Sequence, residues 1–288
     1  IYTKEDLETM QSWDLDRKIQ VTTARIMEWY EHYNGLVYVA FSGGKDSTVL
    51  LDLVRRIYPD VPAVFCDTGL EFPEIRQFAM SVNNVVVLRP EMNFKKVIET
   101  YGYPIVSKRV ADTVEYGHKP GSFRWKELHG EIIRSNGTKS EFNCEKWCYL
   151  LDAPFKVSSR CCNIMKKKPM KKYSKETGRV PIIATMADES RSRRSVWMST
   201  GCNAFQKKSP SSQPMSFWTE NDVLEYIHTY NIPYASVYGD IVPCVGGGQR
   251  QAKKEPGVCF ALLALIWRSL QTVFSGSNSL IQSCGSIA

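Results

Sequence analysis

The segment Ser42-Gly43-Gly44-Lys45-Asp46-Ser47 gathers two hydroxyls, an ammonium and a carboxylate around a pair of glycines. Two glycines let the backbone approach a ligand closely, and the opening amides of a following helix point at that ligand with the positive end of the helix dipole. Phosphate is the natural occupant of such a turn. Lys45 adds a point charge, Ser42 and Ser47 add hydroxyls, and Asp46 can cap the helix or hold a magnesium ion beside phosphates. The spacings GxxxxGK[ST] and GxGxxG are both absent, which argues against a P-loop kinase and a Rossmann dehydrogenase. Three further groups can do chemistry. They are Asp67-Thr68-Gly69, the adjacent thiols Cys161-Cys162, and Glu189-Ser190-Arg191, whose arginine suits a bidentate phosphate clamp.

The elements that must position these groups are legible around them. Leu36 to Phe41 is an apolar, β-branched and aromatic run, and Val49, Leu50, Leu53, Val54 and Ile57 follow the glycines at helical spacing, so strand, turn and helix are expected. Val61 to Cys66 reads as a second buried strand that delivers Asp67, and Val180 to Thr185 as another that delivers the 189–191 segment. Helices at Pro73 to Met80 and Phe94 to Tyr101 with a strand at Val85 to Leu88 continue the β-α alternation, which predicts a doubly wound parallel sheet. Right-handed crossovers then bring the strand-end loops to one edge, where open α/β sheets bind ligands. Asp14 to Tyr33 is expected as a helix stopping at Asn34-Gly35, and Thr219 to Asp222 as a capping box opening another. From Gly102 to Ser140 periodicity is weak, and an inserted loop or lid is expected, its basic and aromatic mixture suiting a nucleotide or nucleic acid. Cys144 and Cys148 would share a face if Asn143 to Leu151 is helical, and they read as structural cysteines. The four histidines make no metal spacing.

SGGKDS after a strand resembles the PP-loop of the ATP pyrophosphatase superfamily, and DTGLEFPE resembles the DTG-x-x-FPE segment of phosphoadenosine phosphosulfate reductases and the small ATP sulfurylase subunit. CCNIMKKKPM is similar to the CC-x-x-x-K-x-x-P-[LM] segment of sulfonucleotide reductases that carry an iron-sulfur cluster, and PMSFWTENDVLEYIHTYNIPY to a further shared element. The resemblance implies an adenine nucleotide alpha hydrolase-like α/β fold. It implies a nucleotide site, for ATP or a sulfonucleotide with magnesium, at Ser42, Gly43, Gly44, Lys45, Asp46, Ser47, Asp67, Thr68, Gly69, Glu189, Ser190 and Arg191. Lys45, Asp46 and Arg191 would be its catalytic residues. It further implies Cys161 and Cys162 as two ligands of a 4Fe-4S cluster, whose other ligands a later Cys-x-x-Cys would supply. Two reactions remain open: sulfonucleotide reduction with a thioredoxin-like electron donor, or ATP cleavage coupled to sulfur transfer onto tRNA or DNA. A nucleotide-binding or nucleic-acid-binding module without turnover is the third alternative.

The 288 residues, 43% hydrophobic, are enough for a full core, and the net charge of +7 favours phosphorylated ligands or nucleic acid, although much of the excess sits in Lys166 to Lys175, where a solvated face serves as well. Nine cysteines without a visible signal peptide suggest reduced thiols or metal ligands in a cytoplasm, and no apolar run reaches membrane-spanning length. Ile1 in place of Met suggests missing residues in front. The expected organisation is a helical segment at 1–35, the nucleotide domain at 36–242 and an atypical tail at 243–288. That tail lacks the Cys-x-x-Cys, and its codons read out of phase near Lys253-Lys254 permit one. A frameshifted or disordered tail, an incomplete cluster and lost activity are the resulting expectations.

Overall fold

The structure, a computed structural model, describes residues 2–243 and 249–251, so the tail expected at 243–288 lies outside the described residues except for Pro243 and 249–251. In chain order the elements are α1 (Lys4–Gln11), α2 (Leu15–His32), β1 (Val37–Phe41), α3 (Lys45–Ile57), β2 (Ala63–Cys66), α4 (Pro73–Ser81), β3 (Val85–Leu88), α5 (Phe94–Tyr101), α6 (Lys108–Tyr116) and α7 (Phe123–Leu128). They continue as α8 (Lys168–Thr177), β4 (Val180–Ile183), α9 (Arg191–Thr200), β5 (Asn203–Ala204), β6 (Ser211–Ser212), α10 (Glu220–Tyr230), β7 (Ile241–Pro243) and β8 (Gln249–Gln251). The chain divides into two units. One takes residues 1–67, 71–89 and the described chain from 169 onward, and the other takes 68–70 and 90–168. Among the described residues no helix is long and apolar enough to cross a membrane.

The first unit is built on a six-stranded sheet in the order β3-β2-β1-β4-β6-β5, parallel throughout except for β5 against β6. Val37, Tyr38, Val39 and Phe41 of β1 are all buried, as a strand covered on both faces requires. The expected strands and helices of this unit appear within a few residues of their predicted ends. Asp14 caps α2 by accepting from Arg17 N at 2.7 Å, and Thr219 and Asp222 form the anticipated capping box of α10. The amino-terminal helices belong to the same core as the sheet, with Leu7, Ile26 and Trp29 packed among Val39, Leu50, Trp197 and Trp218.

A buried ion pair fixes α2 to α10. Lys18, only 2% exposed, lies 2.7 Å from both carboxylate oxygens of Asp222, which also accept from Thr219 N at 2.6 Å and Thr219 Oγ1 at 2.8 Å. The hydroxyl of Thr22, one turn further along α2, accepts from Trp218 Nε1 at 2.8 Å. A desolvated carboxylate with this many donors is stable only while all of them remain.

The second unit packs Phe94, Val97, Ile105, Val110, Ala111, Val114, Leu128 and Leu150 into a core of its own. Here the expectation of a loop over 102–140 is corrected. Ser107 and Ser122 cap α6 and α7, accepting from Val110 N at 3.1 Å and Trp125 N at 3.2 Å. The charges that mask the helical period turn inward. Glu127, 2% exposed, accepts from Arg109 Nη2 at 2.6 Å and Arg124 Nη1 at 2.7 Å. Glu145–Asp152 forms a 3-10 helix preceded by Cys144, so Cys144 and Cys148 do not share the face an α-helix would give them.

Lys18→Met should lower the unfolding free energy by about 3–5 kcal/mol, because Asp222 stays buried without its cation. Urea unfolding measures this, and a loss below about 1 kcal/mol, the scale of a surface pair, would contradict the assignment.

Candidate functional site

Strand pairing aligns the ends of three neighbouring strands. Phe41 of β1 is level with Phe65 of β2, and Ala40 with Ile183 of β4, so Ser42, Asp67 and the chain after Ile183 leave the same carboxyl edge of the sheet. β1 is the strand beside which the order of the sheet reverses, the position at which open α/β sheets present ligand loops.

The turn after β1 is held by its own hydroxyls. Ser47 Oγ donates to Gly44 O at 2.9 Å and accepts from Ser42 N at 3.2 Å, while the hydroxyls of Ser42 and Ser47 share a hydrogen bond of 3.1 Å. Thr48 Oγ1 donates to the same Gly44 carbonyl at 3.0 Å, and Gly44 N donates to Ser42 Oγ at 3.3 Å. Gly43 has φ +74°, and a Cβ there would lie 2.9 Å from Ile75 Cγ2 and from Ile75 O, so only glycine fits. No side chain caps α3, whose opening amides face the turn. The arrangement is competent to receive an anion. Lys45 is 2% exposed, with Nζ 3.1 Å from Asp46 Oδ1 and 3.8 Å from Glu220 Oε1. Its charge is therefore held inside the loop.

Asp67 is buried at the end of β2, and Arg76 from the first turn of α4 grips it, with Nε 3.1 Å and 3.2 Å from its two oxygens and Nη2 3.0 Å from Oδ2. Arg89 Nε stands 4.0 Å away. The hydrogen bond with Asp67 raises the Arg76 pKa further. Sequence reasoning missed Arg76, although its place nine residues after Asp67 in DTGLEFPEIR was in view. Thr68 and Gly69 belong to the second unit, where Leu70 N donates to Thr68 Oγ1 at 3.3 Å and Gly69 takes φ +73°.

After β4 the chain makes a short 3-10 turn at Ala187–Glu189. Glu189 accepts from Met186 N at 2.9 Å and pairs with Arg193, and Ser190 caps α9 by accepting from Arg193 N at 3.2 Å. Glu189 and Ser190 thus shape the loop, and Arg191 is exposed at the first position of α9.

Cys161 and Cys162 stand in the second unit, before a π-helical turn at Asn163–Lys167, a kind of distortion frequent at functional sites. Cys161 Sγ donates to Cys162 Sγ at 4.0 Å. That hydrogen bond pulls the Cys162 pKa down to about 6, with burial opposing and the ammonium groups of Lys108, Lys166 and Lys167 assisting; the Cys161 pKa is pushed up. Among the described residues no group of three His, Cys, Asp or Glu is placed to hold a metal ion, and Cys161 and Cys162 stand as a pair of adjacent thiols.

The fold is thus an α/β wound sheet with a glycine-rich turn at its switch point. The phosphoadenosine phosphosulfate reductase domain model matches residues 36–113 and 134–252, and the chain belongs to that family. Similar proteins include the adenosine 5'-phosphosulfate reductase of Geobacillus kaustophilus, 25% identical over 77% of this chain and 75% of its own. Adenosine 5'-phosphosulfate reductase 2 of Bacillus subtilis is 24% identical over the same shares. A phosphoadenylyl-sulfate reductase structure from Candida auris aligns with 82% of this chain and 91% of its own at 14% identity and TM-score 0.43.

Alkylation of Cys162 should rise as pH passes about 6 and level off by neutrality, because the thiolate is the reactive form. Peptide mapping after brief iodoacetamide treatment reads this. A rate still climbing near the ordinary thiol value of about 8.5 would contradict it.

Proposed function

We infer that the protein is an enzyme of sulfur metabolism that binds an adenine nucleotide by its phosphates at residues 42–47 and acts on a sulfonucleotide. The observation that carries the reading is the hydroxyl-braced turn at the switch point of the sheet, with Gly43 at φ +74° opening an uncapped helix. Family membership and the adenosine 5'-phosphosulfate reductases among the relatives support the sulfonucleotide.

In this reading the loop amides with Ser42 and Ser47 receive phosphate oxygens, and Asp67 after β2 and Glu189 to Arg191 after β4 complete the site. Lys45 braces the loop through its ion pair with Asp46, and Asp46 would hold magnesium only with the nucleotide's own oxygens as further ligands. Arg191, exposed at the start of α9, would neutralise charge that develops on phosphate or sulfate. Cys161 and Cys162 would contribute two thiolates to an iron-sulfur cluster, which supplies redox chemistry when its four ligands are complete. A thioredoxin-like protein would return the electrons.

The strict Ser-Gly-Gly-Lys-Asp-Ser loop favours a second reading, in which ATP is cleaved to adenylate an acceptor such as tRNA or DNA before sulfur transfer. One assay separates the two. With anaerobically purified protein, adenosine phosphosulfate and a dithiol should yield sulfite, and Asp46→Ala should slow it on the order of 100-fold. Pyrophosphate release from ATP without sulfite would establish the second reading. Neither product, at full nucleotide binding, would leave a binding module and contradict both.

A further inference from the structure

Cys148 and His129 form a pair that the nucleotide site does not use. Cys148 lies half-buried in the 3-10 helix Glu145–Asp152, and His129 follows directly on α7, both within the second unit. The Nδ1 atom of His129 is 2.8 Å from the Trp125 carbonyl, which can only accept, so Nδ1 carries the ring proton. The lone pair of the neutral ring is then on Nε2, and Nε2 is 3.8 Å from Cys148 Sγ. The Trp125 indole stacks on the imidazole at 3.8 Å between centroids and 19° between planes, which fixes the direction in which Nε2 points. A nucleophile beside a base, with the base oriented by a third group, is the arrangement by which a weak nucleophile is activated.

We propose that Cys148 is a nucleophilic thiol with His129 as its base, and that it accepts sulfane sulfur from a low-molecular-weight alkyl persulfide. The choice of a sulfur electrophile rests on the sulfur chemistry inferred above; the activated thiol rests on geometry alone. At rest the proton stays on sulfur, because burial and then the Asp152 carboxylate raise the Cys148 pKa, and a base within reach is what releases it. The same carboxylate disfavours a polyanionic sulfonucleotide at this sulfur and tolerates an alkyl persulfide. In the step, Nε2 takes the Cys148 proton and the thiolate attacks the outer sulfur of R–S–SH. The sulfur–sulfur bond of the donor breaks, a new one forms as Cys148–S–SH, and R–S⁻ leaves with the proton from His129 as R–SH. Atoms and electrons balance without an external oxidant or reductant.

The test uses the full chain with cysteamine persulfide, which carries no carboxylate, followed by peptide mass mapping, and a parallel iodoacetamide time course. The peptide containing Cys148 should gain one sulfur atom, and His129→Gln should slow both its persulfidation and its alkylation by about tenfold or more. Alkylation of Cys162 serves as the internal reference for an intact second unit, and it should be unchanged in His129→Gln. A Cys148 that reacts equally fast in both proteins, or that gains no sulfur while Cys162 reacts normally, would overturn the proposal. Because no nucleotide is present, that failure is distinct from a failure to form sulfite or pyrophosphate.

Discussion

The parallel pairing of β1 with β2 on one side and β4 on the other is the constraint on which the rest of the first unit depends. A five-residue strand buried on both faces admits only apolar residues, and Val37 to Phe41 supply them. Its register leaves no freedom in where Ser42 emerges. With Phe41 level with Phe65, the glycine turn and Asp67 leave adjacent strands at nearly the same height, separated by the strand spacing of roughly 5 Å. The helix that follows the turn is braced in place by Ser47 and Thr48, both donating to the Gly44 carbonyl.

The charged side chains that are buried among the described residues are paired. Lys18 with Asp222, Lys45 with Asp46, Asp67 with Arg76, and Glu127 with Arg109 and Arg124 are all cases in which at least one partner is buried. Desolvation makes each arrangement intolerant of losing a partner, and each one orients a backbone segment: the start of α10, the glycine turn, the end of β2, or the contact between α6 and α7. The candidate site inherits its shape from these pairs, with Arg76 holding Asp67 and Arg193 holding Glu189.

How much of this was legible in the sequence follows from the range of each interaction. β1, β3, α5 and the capping box of α10 were readable because their signals are local: a buried run, a helical period, Thr219 three residues before Asp222. Lys18 and Asp222 are separated by 204 positions, and nothing near either residue marks the other. α6 and α7 were read as a loop because Arg109 and Arg124, which look like solvated charge, are spent on Glu127. β5 and β6, two residues each, are too short to carry a period. Of the candidate site, the glycine loop and its strand were in plain view, while Arg76 on Asp67 needed the folded chain, as did His129 beside Cys148 outside that site.

The central claim is that the turn after β1 receives the phosphates of an adenine nucleotide, and amide hydrogen exchange over residues 42–47 tests it most directly. Adding adenosine phosphosulfate, or ATP with magnesium, should slow exchange of the amides from Gly43 to Ser47 relative to the nucleotide-free protein. Saturating nucleotide that slows exchange elsewhere but leaves those amides unchanged would contradict the account.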